Sequence, residues 1–273
     1  MIDEKDLNAF KMREIKAKQI FTIREIDKNS CYEFVRRYHY LANAKFFCVY
    51  GYGLYYRDEY GSCELVGVAT FSAPQGTFAL KGWFGLPNDC TYVLELSRLC
   101  MLPCLNNTNA TSFLLGNSLR MLKAHGIKAV ITLADSSRHV GSIYQVCNFK
   151  YYGTTDKKYN FWSIDGIKNP RGKSHDRHGV WIEKPRKHRY AYLLDKSLKV
   201  LYEEQPYPKA DERLAPPDCC GGTKRVFDNR FQEWFSCPVC CGYIKLLKDG
   251  ENTPAIKIKN TTKYDNYGQL ELF

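Results

Sequence analysis

The strongest constraint in this sequence is a pair of apolar segments that flank a helical pattern. Residues 92–102 and 128–134 are almost continuously apolar, apart from a few polar side chains in the first. Short apolar runs of this kind are typical of strands that are buried on both faces of a sheet. Between them, residues 112–122 carry apolar side chains at helical spacing. The pattern predicts a β-α-β unit whose few polar side chains face a cleft.

Two of these polar side chains are candidates for chemistry. Asp135 lies at the carboxyl end of the second strand, where α/β sheets place ligand-binding groups. It could act as a general base or hold an amino group by a hydrogen bond; the alternative is a cap for the following helix. Arg98 lies in an otherwise apolar strand, so its charge must be paired or face a ligand phosphate. The alternative for Arg98 is an ion pair with Glu95 or Asp135.

The remaining segments extend this unit into one mixed sheet. The element order β-α-β-β-β-α-β-α-β favours an α/β fold in which helices flank a mixed sheet. The sequence predicts strands at 18–26, 46–56, 63–71, 149–152, 160–164 and 189–194, helices at 31–40 and 140–147, and a loop at 75–89. Residues 149–152 and 160–164 are expected to form a closing pair of strands.

Composition limits the class of protein. The chain has 273 residues, of which 44% are hydrophobic, so a large packed core is expected. No run of about 18 apolar residues occurs, and the first residues lack the apolar core of a signal peptide. We therefore expect a cytosolic protein without a membrane segment. The 12 cysteines are then expected to be reduced thiols or metal ligands.

Basic residues are concentrated in one block. The chain carries 40 Lys and Arg against 29 Asp and Glu, and residues 168–189 contain eight basic residues and two acidic ones. Such a block favours a polyanionic partner through counterion release; the alternative is a solvated basic loop. We expect residues 1–205 to form the main domain, with this block as a basic insertion.

The last part of the sequence is predicted to be a small zinc module. Residues 206–217 are rich in proline and charge and indicate a linker before residues 218–273. Cys237 and Cys240 form a CxxC pair followed by another cysteine and a glycine, which lets thiolates converge on one metal. Cys219 and Cys220 would complete the site, although they are adjacent rather than spaced by two residues. Free thiols or iron are the alternatives.

Five separated motifs resemble those of a known family. They occur in the order Tyr38-His39-Tyr40, Glu95-Leu96-Ser97-Arg98-Leu99, Ala134-Asp135, His139 to Gln145, and Pro185 to Tyr190. The strand, helix and second strand around them resemble the Gcn5-related N-acetyltransferase (GNAT) fold. Within that fold, the set is similar to the phage Mom family of DNA-modification proteins.

The resemblance implies roles for named residues. The residues expected to be catalytic are Asp135, Tyr144, His39 and Tyr40. Tyr144 would act as an acid, because a phenol with a pKa of about 10 carries its proton at neutral pH. The residues expected to bind the donor are Arg98, Ser97, Asn109, Thr111 and Ser112. The residues expected to contact DNA phosphates are Lys173, Arg177, Lys184, Arg186, Lys187 and Arg189. His39 is also a possible iron ligand by this resemblance.

The implied donor is acyl-coenzyme A, but the sequence departs from the usual pattern. The pyrophosphate loop of acetyltransferases contains spaced glycines, whereas residues 105–112 contain none. Close backbone approach to a pyrophosphate is then harder. Because the same fold also serves transferases that use aminoacyl-tRNA, tRNA stays open as the source of the donor.

The resemblance implies a phage enzyme that modifies the exocyclic N6 of adenine in double-stranded DNA. The modification would be of the carbamoylmethyl or acetamido type and would protect DNA from host restriction enzymes. Two alternatives remain. One is a GNAT-type acyltransferase that acts on a small molecule, a protein or a hypermodified base. The other is a zinc-containing nucleic-acid-binding protein without enzymatic activity.

Overall fold

The computed structural model describes residues 2–39, 46–76, 79–106, 108–164, 178–209, 223–228, 232–238 and 246–248. Within them the helices are α1 (Glu4–Lys11), α2 (Ala17–Ile20), α3 (Lys28–Tyr38), α4 (Ala79–Phe84), α5 (Ala110–Ala124) and α6 (Ser142–Val146). The strands are β1 (Phe21–Glu25), β2 (Tyr50–Arg57), β3 (Cys63–Ser72), β4 (Val93–Met101), β5 (Ala129–Asp135), β6 (Lys150–Thr154), β7 (Tyr159–Ser163), β8 (Gly179–Glu183), β9 (Lys187–Leu193), β10 (Arg225–Asp228), β11 (Glu233–Ser236) and β12 (Leu246–Leu247).

Seven strands form one mixed sheet in the order β1-β2-β3-β4-β5-β9-β6. Strands β4 and β5 run parallel, whereas the other neighbours in this sheet are antiparallel. A parallel pair needs a crossover connection, and α5 provides it. The mixed α/β sheet and its central β-α-β unit, which the sequence predicted, are therefore confirmed.

Strand β4 contains a bulge at Ser97. Thr70 of β3 pairs with Arg98, and Phe71 pairs with Leu96, so Ser97 is an extra residue in this ladder. A bulge re-aims the side chains that follow it. Before Ser97, the core side chains Leu94 and Leu96 are two residues apart. Across Ser97, Leu96 and Leu99 are three residues apart. As a result, Arg98 leaves the face of the sheet that the alternation of the strand would have given it.

Strands β4 and β5 diverge just after they meet. Their parallel pairing ends at Glu95 and Ile131, although the strands continue to Met101 and Asp135. One step beyond the last pair, the hydroxyl of Thr132 donates a hydrogen bond of 3.4 Å to the carbonyl of Leu96. A gap therefore opens in the middle of the sheet, with this hydrogen bond at its closed end.

Helix α5 covers one face of the sheet beside this gap. Leu114, Leu115 and Leu122 on this helix are completely buried in the main core. Burial of a leucine side chain contributes about 1.5–3 kcal/mol, so these three residues fix the helix firmly on the sheet. Helices α3 and α4 pack in separate apolar clusters, with Val35 beside β3 and Trp83 beside β5.

Three local predictions differ from the structure. The segment predicted as a strand at 18–26 begins as helix α2, and the segment predicted as a loop at 75–89 contains α4. Helix α3 begins at Lys28, because the carboxylate of Asp27 accepts hydrogen bonds from the backbone N–H groups of Asn29 and Ser30. A carboxylate that accepts these bonds is a strong helix cap, so the helix starts before the predicted one.

The predicted closing pair of strands is wrong. Strand β6 lies at the edge of the main sheet against β9, whereas β7 pairs with β8 in a separate two-stranded sheet. Lys187 and Arg189 belong to β9 and hence to the main sheet rather than to an inserted loop. The predicted basic insertion is therefore shorter at its carboxyl end, and residues 165–177 lie outside the described residues.

Strands β10, β11 and β12 form a small sheet that packs on β8. Phe235 of β11 is completely buried in a cluster with Val180 and Ile182. The N–H of Gly179 donates a hydrogen bond of 3.3 Å to the carboxylate of Asp228. Apolar and polar contacts thus join the C-terminal strands to the β7–β8 hairpin.

The zinc module stays a prediction. Cys237 is buried, but Cys219, Cys220 and Cys240 lie outside the described residues, as does most of the predicted linker. Among the described residues, no group of three or more His, Cys, Asp or Glu side chains is arranged to hold a metal ion. In the same part of the chain, no helix is both long and apolar enough to cross a membrane.

The turn before α6 depends on Gly141, which has a φ of 81°. A Cβ atom there would lie 2.7 Å from the Tyr190 ring and 2.9 Å from the Tyr144 ring. We expect Gly141→Ala to lower the free energy of unfolding by about 3 kcal/mol, from left-handed backbone strain and overpacking. Gly126→Ala is the control, because its φ is 79° and no described atom lies within 4 Å of the new Cβ. Urea denaturation of Gly126→Ala should show a loss of only about 1–2 kcal/mol, from backbone strain alone. Equal losses in the two variants would contradict the steric contribution of the Tyr190 and Tyr144 rings at Gly141.

Candidate active site

The gap between β4 and β5 forms a cleft of about 330 Å³. Strand β4, the start of α5, strand β5, α6 and the end of α3 all contribute to its walls. The residues that line it are His39, Glu95, Leu96, Ser97, Arg98, Leu99, Met101, Asn106, Thr111, Thr132, Leu133, Asp135, His139, Ile143, Tyr144 and Lys187. Five predicted site residues on separate elements, His39, Arg98, Thr111, Asp135 and Tyr144, therefore meet in one cavity.

The bulge places Ser97 and Arg98 in the wall of the cleft. The hydroxyls of Ser97 and Ser72 are 2.6 Å apart and share a hydrogen bond. The Arg98 guanidinium donates a hydrogen bond of 2.6 Å to the carbonyl of Ser97 and lies 5.0 Å from the centre of the Phe46 ring. These contacts hold the guanidinium at the cleft, where its positive charge acts on the other ionisable groups.

Glu95 is the carboxylate at the closed end of the cleft. Burial raises its pKa, and the Gln75 N–H, Lys187 and Arg98 oppose that rise. Its carboxylate accepts a hydrogen bond of 2.7 Å from the backbone N–H of Gln75. A half-buried carboxylate with a raised pKa binds a proton more readily than an exposed one, which suits general base catalysis.

His39 ends α3 with its side chain in the cleft. Burial, followed by the charges of Arg98 and Arg138, lowers the pKa of His39 to about 4. The imidazole is therefore uncharged at neutral pH. An uncharged ring does not stabilise the carboxyl end of a helix by charge, so His39 does not act on α3 in that way. Tyr40, the other predicted catalytic residue of this motif, lies outside the described residues.

Asp135 ends β5 at the mouth of the cleft. Its Oδ1 accepts hydrogen bonds from the backbone N–H and the hydroxyl of Ser137, at 3.0 and 2.7 Å. The carboxylate thus caps the following turn, which was the alternative to a functional role, and it lines the cleft at the same time. Nearby, Nδ1 of His139 accepts a hydrogen bond from the N–H of Gly141, so the His139 proton is on Nε2.

Tyr144 reaches the cleft from α6. Its ring packs against Phe149 and Tyr190, with centroids 5.7 and 5.4 Å apart. The Tyr190 hydroxyl donates a hydrogen bond to the carbonyl of Val140 and accepts one of 3.1 Å from Gln145. Because these contacts fix both ends of the helix, the orientation of the Tyr144 ring is set by the core.

A second cavity continues from the cleft on the side of α5. It measures about 660 Å³ and shares Thr111 and Ile143 with the cleft. Lys11 and Arg13, at the end of α1, contribute two cationic side chains to its wall. We refer to this cavity as the α1–α5 groove. The α1–α5 groove thus places positive charge next to the cleft.

The predicted donor-binding residues at the start of α5 line the α1–α5 groove. Asn109, Thr111 and Ser112 are all part of its wall. Within the described chain, the Asn109 side chain makes no hydrogen bond to the first turn of the helix. The N–H of Ala110 is bonded instead to the Thr108 hydroxyl at 3.3 Å. The segment without glycines at the start of α5 thus shares the groove with two cationic side chains, Lys11 and Arg13.

The predicted DNA-contacting residues fall into different environments. Lys184 and Arg186 lie on the segment between β8 and β9, and Lys187 lines the cleft itself. The Arg189 side chain is only 13% exposed, lies 4.4 Å from the centre of the Tyr202 ring and donates to the carbonyl of Thr154. Its guanidinium is thus engaged within the fold. Lys173 and Arg177 lie outside the described residues.

Comparison with known proteins decides the family. No curated protein sequence matches the chain significantly. Residues 20–209 match the Mom protein family, which covers more than half of the chain. The chain belongs to the Mom family. The family match, like the cleft, does not include α1.

Solved acetyltransferase structures are similar to this Mom family member. An N-acetyltransferase from Staphylococcus aureus is 17% identical, with a TM-score of 0.38, over 64% of this chain and 99% of its own. The ribosomal-protein-S18-alanine N-acetyltransferase from Escherichia coli is 12% identical, with a TM-score of 0.39, over 67% and 100%. A phosphinothricin acetyltransferase from Sinorhizobium meliloti, solved with acetyl coenzyme A, is 15% identical, with a TM-score of 0.40, over 70% and 100%.

Sequence reasoning did not assign three residues of the site in this Mom family member. Glu95 was treated as part of a motif and as an alternative ion-pair partner of Arg98, Lys187 only as a phosphate contact, and Lys11 was not assigned at all. The spacing of apolar residues gave a usable signal for Glu95. Leu94 and Leu96 are two residues apart, whereas Leu96 and Leu99 are three apart, although all pack in one core. That phase change indicates a bulge between Leu96 and Leu99, close to Glu95 in the same strand.

The lowered pKa of His39 has a measurable consequence. In an NMR titration of the imidazole, we expect a midpoint near pH 4 instead of about 6.5. Between these values the unfolded chain binds the proton and the folded chain does not. The folded protein is therefore less stable at low pH: the free energy of unfolding decreases as the pH falls from about 6.5 to 4. A midpoint near 6.5 in the folded protein would contradict this description of the cleft.

Proposed function

We propose that this Mom family member is a transferase that modifies the exocyclic N6 amino group of adenine in double-stranded DNA. The observation that carries the proposal is the cleft, in which Glu95, His39, Asp135 and Tyr144 meet from separate elements. Membership in the Mom family supports the same substrate. DNA that carries an acetamido-type group on this nitrogen would resist restriction enzymes of a phage host.

The size and position of the cleft suit a base that has left the helix. Chemistry on this nitrogen inside a duplex requires the adenine to leave the stack and enter a pocket. A cavity of about 330 Å³ is within the range of small-ligand sites. Lys187 lies at the cleft, and Lys184 and Arg186 precede it in the chain. These cations would hold phosphates on either side of the extruded nucleotide.

Two carboxylates, Asp135 and Glu95, have different roles at the adenine amino group. Oδ1 of Asp135 already accepts two hydrogen bonds from Ser137, which fix the orientation of the carboxylate. We therefore assign Asp135 to hold the amino group by a hydrogen bond. Burial raises the pKa of Glu95, so Glu95 takes the proton that the nitrogen loses when its new bond forms.

Tyr144 and His39 complete the site. The Tyr144 phenol gives its proton to the leaving group, since a phenol is a suitable acid and a poor base at neutral pH. His39, neutral at this pH, offers a hydrogen bond to the base without adding positive charge. Both side chains line the same cleft as the carboxylates.

The donor would be an activated carrier such as acyl-coenzyme A, with aminoacyl-tRNA as the alternative source. When bound, it would supply the electrophilic carbon that the adenine nitrogen attacks. Lys11, Arg13 and Thr111 would hold its phosphates in the α1–α5 groove, while Ser97 and Arg98 face its reactive end. The absence of glycines from residues 105–112 is compatible with recognition through side chains.

The role of Asp135 is tested against a matched control. Asp195 makes the same two hydrogen bonds to Ser197, at 2.9 and 2.7 Å, far from the cleft lining. We expect Asp135→Ala to lower formation of modified deoxyadenosine by about 100-fold or more, and Asp195→Ala to leave it unchanged. Mass spectrometry of nucleosides from DNA coexpressed with each soluble variant measures the product.

Two results would count against the proposed function. Unmodified adenine with the soluble parent protein would remove adenine in DNA as the substrate. Acyl transfer to a free amine in the same preparation would then favour a small-molecule acyltransferase. Equal activity of the two aspartate variants would instead assign Asp135 a purely structural role, since both would lose the same pair of hydrogen bonds.

The α1–α5 groove gives a separate prediction about the donor. Lys11→Glu should weaken binding of acetyl coenzyme A by about three- to tenfold, because charge reversal replaces an attraction to phosphate by a repulsion. Lys5→Glu on the same helix is the control, since Lys5 does not line the groove. Isothermal calorimetry measures both. Equal affinity of the two variants would remove α1 from the donor site, and no binding by the parent would direct attention to charged tRNA.

A further inference from the structure

The β7–β8 hairpin displays two large aromatic side chains to solvent. Trp181 is 51% exposed and Tyr159 is 50% exposed, although both belong to regular strands. We call residues 155–163 with 178–186 the hairpin arm, leaving out the segment that connects its strands. Exposed aromatic side chains grouped on one surface mark interaction sites more often than isolated ones do.

The two aromatic side chains share one face of the hairpin arm. Trp181 pairs with Phe161, and their ring centroids are 5.2 Å apart; Tyr159 pairs with Glu183 two residues along. Alternate residues of a strand point to opposite faces, so these four side chains lie on the same side. The opposite face carries Val180 and buries it against the C-terminal sheet. On the aromatic face Trp181 and Tyr159 are half exposed, whereas Phe161 between them is buried, so Trp181 and Tyr159 are the rings open to a partner.

Positive charge surrounds this face. Glu183 lies between Lys157 and Arg186, at 3.8 Å from each, so one carboxylate serves two cations. Lys158 and Lys184, one residue outside the two strands, are joined through a backbone hydrogen bond of 2.7 Å, and by the same alternation their side chains leave the arm on its other side, near its attachment to the cleft. Neither of them has a carboxylate within 4.0 Å in the described part of the chain. An aromatic surface with excess positive charge is complementary to a nucleic acid.

The hairpin arm is attached at the rim of the cleft. The Thr155 N–H donates a hydrogen bond of 2.8 Å to the Lys187 carbonyl, and the Lys187 N–H donates one of 3.0 Å to the Thr155 hydroxyl. Ser136, the residue after Asp135, donates two hydrogen bonds to the carbonyl of Arg186. Trp181 is six residues from Lys187, which limits their separation to about 20 Å. At about 3.4 Å for each base pair, this distance is at most about six base pairs.

We propose that the hairpin arm binds the duplex beside the target adenine, with Trp181 and Tyr159 packed against its sugars and base edges. Lys157 and Arg186, which both lie beside Glu183 on the aromatic face, neutralise phosphates next to this aromatic contact. The inference rests on the proposed function for the position of the adenine, but the surface itself needs no donor and no chemistry. Double-stranded DNA is the partner, because a cleft that accepts an extruded base needs the flanking duplex to be held.

The experiment measures binding of a fluorescently labelled 24-base-pair duplex by anisotropy at several salt concentrations. Trp181→Ala should raise the dissociation constant by about tenfold, which is about 1.4 kcal/mol, without changing the dependence on salt. Lys157→Ala should instead lower the slope of log K against log salt by about one unit, because Lys157 lies beside Glu183 on the aromatic face. The control is Trp234→Ala, because Trp234 is 39% exposed but lies on the C-terminal sheet, beside Arg225. This control should bind as the parent does.

Each other outcome overturns the proposal. Unchanged binding by Trp181→Ala, or an equal loss in Trp234→Ala, would remove the aromatic contact. A transfer RNA that binds as tightly and depends equally on Trp181 would replace duplex DNA as the partner. Trp181→Phe distinguishes loss of the DNA contact from a folding defect. It keeps an aromatic ring beside Phe161 and should retain most of the affinity.

Failure of the hairpin arm to bind DNA and failure of the proposed reaction give different results. Weaker binding by Trp181→Ala together with unmodified adenine would support the hairpin arm and overturn the reaction. Modified adenine together with unchanged binding by Trp181→Ala would overturn the hairpin arm alone.

Discussion

The site depends on the short parallel pairing of β4 and β5. Three residue pairs hold the strands together, and the hydrogen bond from Thr132 to the Leu96 carbonyl lies at the point where they part. The bulge at Ser97 then turns Arg98 to the cleft wall. Backbone groups that would otherwise continue the ladder face a cavity instead. A strand pair that stayed together would leave a continuous sheet without a place for a substrate.

Burial and charge in this cleft act on the same few groups. Burial raises the pKa of Glu95 and lowers that of His39, because in both cases it disfavours the charged form. Arg98 moderates the first effect and strengthens the second. The site therefore combines a carboxylate with increased proton affinity and an imidazole without charge at one pH. That combination favours removal of a proton from a neutral amine.

The sequence predicted the central scaffold well, because continuous apolar strands and helical spacing depend on local order. It also brought together Asp135, Tyr144, Arg98 and His39, which the structure places in one cleft. The pairing of β6 with β9 could not be predicted, since both possible partners have strand-like sequences and the choice is made by long-range packing. The role of α1 was equally hidden, because Lys11 faces the groove only through the docking of its helix.

The two hydrogen bonds from Ser136 to the Arg186 carbonyl have a consequence for selectivity. They hold the turn after Asp135 against the base of the hairpin arm, so the two segments keep a fixed relative position. Under the proposed function, a free nucleotide would fill the cleft without touching the arm, whereas a DNA polymer would engage both. The abundant adenine nucleotides of a cell would then compete poorly with a chromosome, although they present the same amino group. Discrimination by polymer length would thus come from the architecture of the fold, independently of the chemistry in the cleft.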